Sequence, residues 1–239
     1  MLIFYWQNVG VEIEIMGTIA ICGLGGAGKE ILDLVERVRK ACWENIIFCD
    51  KSVEETDKLF RTYPVYTYEQ ITEIYRPDEV EFIISVGDVY LRQKIYEQIF
   101  TGGYRLATLI APGVHVPEST TVGDGVIIRD HCYISVDVVL ESNSMIQPGA
   151  VVGHDARVGK NSIISSQSVI AGSVFVGDNT YIALGCVVKE LVAIGDDTIV
   201  SMGTVVNRNV DSGVIVRGNP MEVVSKNYLK SAFRLNMRK

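Results

Sequence analysis

Residues 146–176 read IQPGAVVGHDARVGKNSIISSQSVIAGSVFV, and an aliphatic side chain returns at every sixth position of this stretch. The same spacing runs without a gap from Ile110 to Val206, which makes seventeen consecutive hexads. A second position, four residues after each aliphatic residue, takes only small or β-branched residues. Two positions that recur together at one period indicate a structural repeat.

The six-residue period predicts one short strand and one turn per hexad. An even period keeps the aliphatic residue on one face of every strand, and the position four residues on shares that face because side chains alternate. Hexads such as Val158-Gly-Lys-Asn and Val176-Gly-Asp-Asn place Gly, Asp and Asn directly after the aliphatic residue, as tight corners require. The repeat therefore predicts a parallel β-helix with both positions pointing inward and coils about 4.8 Å apart.

Residues 17–109 have a different hydrophobic pattern, in which short apolar strands alternate with segments of helical spacing. The strand from Thr18 to Cys22 leads into the glycine loop Gly23-Leu-Gly-Gly-Ala-Gly28, and a helical segment follows from Lys29. The last strand of this part is expected from Arg105 to Ile110. Because strands and helices alternate, the sequence predicts a small Rossmann-like α/β domain ahead of the β-helix.

The glycine loop predicts a ligand for this domain. Its spacing fits G-x-G-x-x-G between a strand and a helix, where backbone N–H groups and the helix N-terminus can hold a diphosphate. We expect Gly23, Gly25, Gly26 and Gly28 to bind a nucleotide-linked substrate, with Asp50 contacting the ribose or base. NAD is an alternative ligand, although no second α/β half follows to complete a dinucleotide crevice. For Asp50 the alternative is a helix N-cap or a solvated strand end.

Length, charge and cysteine content limit the remaining possibilities. The net charge of −7 over 239 residues argues against a nucleic-acid partner. The five cysteines follow no metal-ligand spacing, so we expect reduced thiols and a cytoplasmic location. No apolar run reaches the roughly 18 residues of a membrane span, and the N-terminus lacks the features of a signal peptide. We expect four segments: an N-terminal extension at 1–16, the Rossmann-like domain at 17–109, the β-helix at 110–212 and a C-terminal segment at 213–239.

An α/β domain with this loop, followed directly by hexapeptide repeats, resembles the nucleotide-sugar acetyltransferases of bacterial glycan synthesis. That family includes UDP-4-amino-sugar N-acetyltransferases and sialic-acid O-acetyltransferase relatives, and the resemblance covers nearly all of residues 17–224. It implies a left-handed β-helix with three hexads per coil and a homotrimer with active sites between subunits. It also implies a nucleotide-sugar on the first domain and acetyl-CoA in the groove between neighbouring β-helices. The expected activity is acetyl transfer to the amino group of a UDP- or dTDP-linked amino-deoxy sugar.

The resemblance also assigns a catalytic histidine. Acetyl transfer needs a base for the acceptor proton and a donor for the developing oxyanion. His154 stands at the third position of its hexad, away from both inward positions, and matches the family's catalytic histidine. The family has an acidic residue directly after it, as Asp155 is here, and this residue would orient the imidazole. The alternative for His154 is a solvated surface residue, which is also the default reading of His115 and His131.

Acetyl-CoA contacts are implied at small residues that face the groove. Gly172 aligns with an acetyl-CoA glycine of the family, and Gly185 and Gly203 occupy turn positions one and two coils on. Arg217 is a cation that could reach a phosphate, and it opens a segment, RGNPMEVV, that resembles the family's closing G-x-P-A-K. The alternative for the three glycines is that they are simple corner residues.

Met221 and Glu222 stand where the closing pattern has Ala and Lys, and three further positions depart from the family pattern. Ala27 replaces a loop histidine, and Ala111 replaces a histidine that precedes a proline at the entry to the β-helix. Both fall on the acceptor side, so they leave the identity of the sugar open. A second family histidine aligns with Ile163, so its role is either missing or filled by Ser162 or Ser165.

Other functions remain as alternatives to N-acetyl transfer. One is O-acetylation of a sialic-acid type sugar, and another is a nucleotide-sugar-binding scaffold without catalysis. Some hexapeptide proteins, the γ-class carbonic anhydrases, bind zinc through three histidines, but those spacings are absent here and we expect no metal.

Overall fold

A computed structural model describes residues 16–38, 42–51, 58–228 and 230–231. Most of the expected N-terminal extension (residues 1–15) and the last eight residues of the expected C-terminal segment lie outside the described residues.

The first part of the chain forms a six-stranded sheet with helices between its strands. In chain order the elements are β1 (Met16–Cys22), α1 (Gly26–Val38), β2 (Trp43–Cys49), β3 (Leu59–Phe60), β4 (Tyr63–Tyr66), α2 (Tyr68–Ile74), β5 (Val80–Ile84), α3 (Val89–Thr101) and β6 (Arg105–Leu106). The strand order is β3-β4-β2-β1-β5-β6, and every neighbouring pair is parallel except β3 with β4. Parallel strands joined by helices confirm the predicted Rossmann-like domain.

Two details of this domain differ from the sequence-based expectation. The hairpin of β3 and β4 was not predicted, because its strands are too short for a period of two to show. The strand expected from Arg105 to Ile110 is broken, since its hydrogen bonds change partner. The Ala107 N–H donates to Phe82 O in the first sheet, whereas the Leu109 N–H donates to Val126 O in the next domain.

From Leu109 onward the chain forms two-residue strands spaced six residues apart. They are β7 (Leu109–Ile110), β8 (Thr121–Val122), β9 (Ile127–Ile128), β10 (Tyr133–Ile134), β11 (Val139–Leu140), β12 (Met145–Ile146), β13 (Val151–Val152), β14 (Arg157–Val158), β15 (Ile163–Ile164), β16 (Val169–Ile170), β17 (Phe175–Val176), β18 (Tyr181–Ile182), β19 (Val187–Val188), β20 (Ala193–Ile194), β21 (Ile199–Val200) and β22 (Val205–Val206). The hexad at Val116 is the member of this series without a strand.

Strands pair in parallel with the strand eighteen residues away, as in Ile134 with Val152 and Val152 with Ile170. Three hexads therefore make one coil, and the coil has three sheet faces. Face 1 is β10-β13-β16-β19-β22, and face 2 is β8-β11-β14-β17-β20. Face 3 runs from β7 through β9, β12, β15, β18 and β21, and continues into a hairpin of β23 (Val214–Arg217) and β24 (Glu222–Lys226). We name the corners by the faces they join: the 1–2 corner, the 2–3 corner and the 3–1 corner.

The interior of the coil is filled as the repeat predicts. Aliphatic residues such as Val152 and Ile170 are completely buried, and so are the small residues four positions further on. Polar members of that second position bond to backbone across coils: Ser162 Oγ donates to Gly177 O and accepts from the Thr180 N–H. Both hexad positions therefore point inward.

The α/β domain packs over face 3. The outward-pointing residues of this face are all buried: Ile127, Met145, Ile163, Tyr181 and Ile199. Helix α1 reaches the 3–1 corner through an ion pair between Arg37 and Asp130, with an Nη1 to Oδ1 distance of 2.7 Å. Helix α3 reaches the 2–3 corner, where Arg92 donates hydrogen bonds to Asn143. The two helices therefore span face 3 from corner to corner, and the 1–2 corner lies on the opposite side of the β-helix.

Candidate active site

The glycine loop joins β1 to α1, and its glycines meet different physical requirements. Gly23 has a φ of 107°, which a residue with a side chain rarely adopts. A Cβ at Gly28 would overlap Gly23 O, so this glycine allows the helix to approach the loop closely. Gly25 and Gly26 are exposed, and a Cβ at either would point into open space. The predicted binding residues thus divide into two that shape the loop and two at the exposed start of α1.

A cavity of about 170 Å³ opens beside this loop. One side is formed by Gly23, Cys49 and Asp50 at the carboxyl ends of β1 and β2, where open α/β sheets bind their ligands. The structure brings Asp50 together with the glycine loop, as the sequence analysis expected. The other side is apolar and includes Leu91 and Ile95 of α3. Sequence reasoning missed these α3 residues, because a helix with one apolar stripe gives no sign of which partner it faces.

Two thiols lie at the carboxyl ends of β1 and β2 in this cavity. Cys22 and Cys49 are register partners on the neighbouring parallel strands. A hydrogen bond with Cys49, followed by burial, raises the pKa of the Cys22 thiol well above its usual value. Cys22 therefore stays protonated at neutral pH and is a packing residue rather than a nucleophile.

His154 lies at the 1–2 corner, directly after β13. Its Nδ1 is 2.7 Å from Asp155 Oδ2, and both side chains are largely exposed, at 62% and 59%. Asp155 has a φ of 58°, and its N–H donates to Val136 O one coil away, so the backbone of the corner is fixed. Because the carboxylate takes the Nδ1 edge, Nε2 is the ring nitrogen left for chemistry. A histidine whose ring is oriented by an acid in this way can act as a general base.

The predicted acetyl-CoA residues do not share one corner. Gly172 lies next to His154 at the 1–2 corner, one coil further on. Gly185 and Gly203 lie at the 3–1 corner with φ of 66° and 68°, so they do not continue the column of Gly172. Arg217 is exposed at the end of β23 on face 3. Within one chain these four residues therefore do not surround a common groove.

The candidates for the family's second histidine role do not lie beside His154. Ile163 is completely buried on face 3, beneath the α/β domain. The hydroxyl of Ser162, at the 2–3 corner, is engaged in the hydrogen bonds with Gly177 and Thr180 described above. Ser165 is completely buried at the 3–1 corner, and its Oγ has no hydrogen-bond partner among the described residues.

Two further kinds of site, for metals and for membranes, concern the described residues. Among them, no cluster of three or more His, Cys, Asp and Glu side chains is placed to hold a metal ion. In the same part of the chain, none of the helices combines the length and the apolar character that a bilayer span demands.

Comparison with known proteins identifies both domains. Residues 18–99 match the family described as the PglD N-terminal domain, and residues 137–172 match the bacterial transferase hexapeptide, six repeats. In both domains the chain is similar to the hexapeptide-repeat nucleotide-sugar acetyltransferases. Together the two matches and the three-faced coil confirm a Rossmann-like domain followed by a left-handed β-helix.

Relatives with known structures or curated functions support this assignment. The chain is 31% identical over 115 residues to a UDP-N-acetylbacillosamine N-acetyltransferase from Bacillus subtilis (strain 168); the match covers 47% of this chain and 51%, about half, of that relative. A perosamine N-acetyltransferase from Caulobacter crescentus, solved as a mutant with CoA and GDP-perosamine, is 28% identical with a TM-score of 0.79, over 90% of this chain and 100% of that one. The acetyltransferase domain of PglB from Neisseria gonorrhoeae shares the fold at 24% identity, with a TM-score of 0.80 over 87% of this chain and 99% of that domain.

Proposed function

We propose that the protein transfers the acetyl group of acetyl-CoA to the amino group of a nucleotide-linked amino-deoxy sugar in bacterial glycan biosynthesis. The observation that carries the proposal is the pair of His154 and Asp155, 2.7 Å apart on an exposed corner of a hexapeptide β-helix. The α/β domain of the same chain supplies a glycine loop and an adjacent cavity. A base and a nucleotide pocket together fit this reaction better than either feature alone.

In the proposed reaction the sugar amine attacks the thioester carbonyl directly. A C–N bond forms, the C–S bond breaks, and the amine proton passes to His154 Nε2 and from there to the departing thiolate. Asp155 keeps the ring in the tautomer that leaves Nε2 free to accept, and stabilises the imidazolium that results. A positioned base of this kind contributes about 10²- to 10⁴-fold to the rate. No covalent acyl-enzyme is required, and no metal takes part.

The nucleotide is proposed to bind at the loop and cavity of the α/β domain. Gly25 and Gly26 would offer backbone N–H groups at the start of α1 to the diphosphate. Asp50, at the end of β2, would accept a hydrogen bond from the ribose or base. Leu91 and Ile95 would pack against an apolar surface of the bound nucleotide. UDP or dTDP is the carrier predicted from the resemblance. GDP is the competing carrier, because the Caulobacter relative binds GDP-perosamine.

The complete site is proposed to need a second copy of the chain. The loop and cavity belong to the domain that covers face 3, whereas His154 lies at the opposite corner of the β-helix. A nucleotide-sugar bound on one chain therefore meets His154 of a neighbouring chain. The same arrangement would bring Gly172 of one chain toward Gly185, Gly203 and Arg217 of another, along one acetyl-CoA groove.

Face 1 supplies a surface for this assembly. Its outward residues form an apolar column, in which Tyr133 is 60% exposed and Val169 and Val187 are also exposed. A contiguous exposed apolar column of this kind marks an association site. We propose that it is buried between copies in a homotrimer.

The test is acetyl transfer with purified protein and a panel of UDP-, dTDP- and GDP-linked amino sugars, followed by mass spectrometry of the products. We expect one amino sugar to gain a single acetyl group, and His154→Ala to lose at least 100-fold in kcat. Near wild-type transfer by His154→Ala would refute the proposed base. Acetylation at a hydroxyl, or of a free sialic-acid type sugar, would establish O-acetylation instead. Absence of CoA release with every acceptor, combined with nucleotide-dependent thermal stabilisation, would establish a binding scaffold.

The proposed location is the cytoplasm, where thiols stay reduced. All five cysteines are free thiols in the structure.

A further inference from the structure

Gly172 stands at the same place in its hexad as His154, eighteen residues later at the 1–2 corner. The corresponding residues of the flanking coils are Val136 and Glu190, so the position accepts large side chains. The backbone of Gly172 does not adopt a positive φ, in contrast to Gly185 and eight other glycines of the described chain. Backbone conformation therefore gives no reason for a glycine at this position.

The reason lies in the imidazole of His154. A Cβ built on Gly172 would be 2.6 Å from both Cε1 and Nε2 of His154, and 3.1 Å from Cδ2. These distances place that Cβ above the plane of the ring, so one face of the imidazole packs against the Cα of Gly172. Asp155 holds the ring at its Nδ1 edge. The ring is thus fixed from two sides, by a carboxylate and by a residue that has no side chain.

We propose that Gly172 is a positioning residue, whose missing side chain leaves the space in which His154 holds Nε2 ready for the acceptor proton. This assignment rests on the proposed function of His154. It adds to the acetyl-CoA contact proposed above for Gly172, which would use the backbone N–H and which an alanine would keep. The contact between Gly172 and His154 needs no bound ligand.

Gly153 shows why the two neighbouring glycines can be separated by experiment. A Cβ at Gly153 would lie 2.6 Å from the backbone nitrogen of Gly172 and 2.7 Å from the carbonyl carbon of Ala171. Backbone cannot move aside, so Gly153→Ala disturbs the stacking of coils. At Gly172 the obstacle is an exposed side chain that can rotate into solvent. Gly172→Ala should therefore fold normally and misplace only His154.

The test compares Gly172→Ala with His154→Ala and with the double variant, using the full-length protein and the acceptor found in the product panel. We expect Gly172→Ala to keep its melting temperature and its KM for acetyl-CoA while kcat falls at least 10-fold, because an error of about 1 Å in a catalytic group costs on the order of 100-fold. In the His154→Ala background, Gly172→Ala should cause no further loss, since both changes remove the same contribution. A crystal structure of Gly172→Ala should show the imidazole in another rotamer, detached from Asp155.

Several outcomes would overturn the assignment. One is an unchanged kcat in Gly172→Ala, and another is an equal further loss when His154 is already absent. A loss confined to the KM for acetyl-CoA would show that Gly172 contacts the acyl donor. As a control, Glu190→Ala changes the same position one coil further on, and we expect its kcat to stay within about twofold of wild type; an equal loss there would also overturn the assignment. If His154→Ala itself remains active, the proposed role of His154 as the base fails, whereas an inactive His154→Ala beside an active Gly172→Ala refutes only the role of Gly172.

Discussion

Arg92 connects the two domains from a completely buried position on α3, and its removal should destabilise the whole chain. Its guanidinium donates five hydrogen bonds to four carbonyl oxygens. Two belong to the end of the β5 region, Ile84 O at 2.6 Å and Val86 O at 3.1 Å. The others belong to Asn143 at the 2–3 corner, whose main-chain O accepts from Nε and Nη2 and whose Oδ1 accepts from Nη2 at 2.8 Å. None of these acceptors is a carboxylate.

The magnitude follows from two opposing effects. Arg92→Met leaves four acceptors without this donor, and each unsatisfied buried acceptor costs about 1–3 kcal/mol, so the lower bound is about 4 kcal/mol. Against this, burying the charge of Arg92 has a cost that the neutral methionine does not have. Burial lowers the pKa of Arg92 to about 9, which shows that the charged form is disfavoured there. We expect a net loss of about 2–4 kcal/mol in the free energy of unfolding, since removing one side of a buried polar network generally costs this much.

Urea unfolding followed by circular dichroism measures this loss, with Lys94→Met as the matched control. Lys94 is an exposed cation on the same helix, so the same type of substitution there should change the free energy of unfolding by less than about 0.5 kcal/mol. Because Arg92 joins the domains, we also expect one unfolding transition in the wild type and two in Arg92→Met. An unfolding free energy for Arg92→Met within the range of the Lys94→Met control would refute the reasoning.

Three further changes test the corners, the loop and the buried thiols. Asn161→Gly introduces a residue that also tolerates the φ of 60°, but it removes two side-chain amide hydrogen bonds of 2.9 Å along the 2–3 corner. We expect the free energy of unfolding in urea to fall by about 1–3 kcal/mol, and by about 1 kcal/mol more in Asn161→Ala. Gly28→Ala should raise the KM for the nucleotide-sugar at least 10-fold and lower the melting temperature, because its Cβ overlaps the loop backbone, whereas Gly26→Ala should leave the melting temperature unchanged. Burial raises the pKa of Cys42 to about 12 and that of Cys132 to about 11, so both thiols keep protons in the folded state that the unfolded chain releases above about pH 9. Stability should therefore fall as pH rises from about 9 to 11, by up to about 1.4 kcal/mol per pH unit and per thiol, and replacing both thiols with alanine should flatten the curve.

The architecture of the β-helix was predictable because its period is a local property. Each inward residue, such as Val152, meets the residue eighteen positions away, and the same chemistry recurs at every coil. A repeat of this kind needs no knowledge of distant contacts. The glycine loop was predictable for a similar reason, since strand, loop and helix follow each other directly in the chain.

What the sequence did not show depends on how the two domains meet. Neither the apolar side of the cavity on α3 nor the contact of Arg92 with Asn143 leaves a periodic trace, because each joins residues from separate elements. The sequence analysis placed Gly185 and Gly203 one and two coils after Gly172. One coil is eighteen residues, and eighteen residues after Gly172 comes Glu190, so these two glycines lie at another corner. The contact between Gly172 and His154 was also missed, although both stand at the third position of hexads one coil apart.

The departures from the family pattern at positions 27, 111 and 163 lie on the same side of the chain. Ala27 is the second residue of α1, Ala111 follows β7 at the edge of face 3 and is buried, and Ile163 is buried on face 3 beneath the α/β domain. All three therefore belong to the side of the chain that carries the proposed nucleotide-sugar site, whereas His154 lies at the opposite corner. None of these three side chains is ionisable, so none of them can take the acceptor proton, and the proposal assigns that step to His154. Substitutions at Ala27 should accordingly change the preference among acceptor sugars, and leave the dependence on His154 as it is.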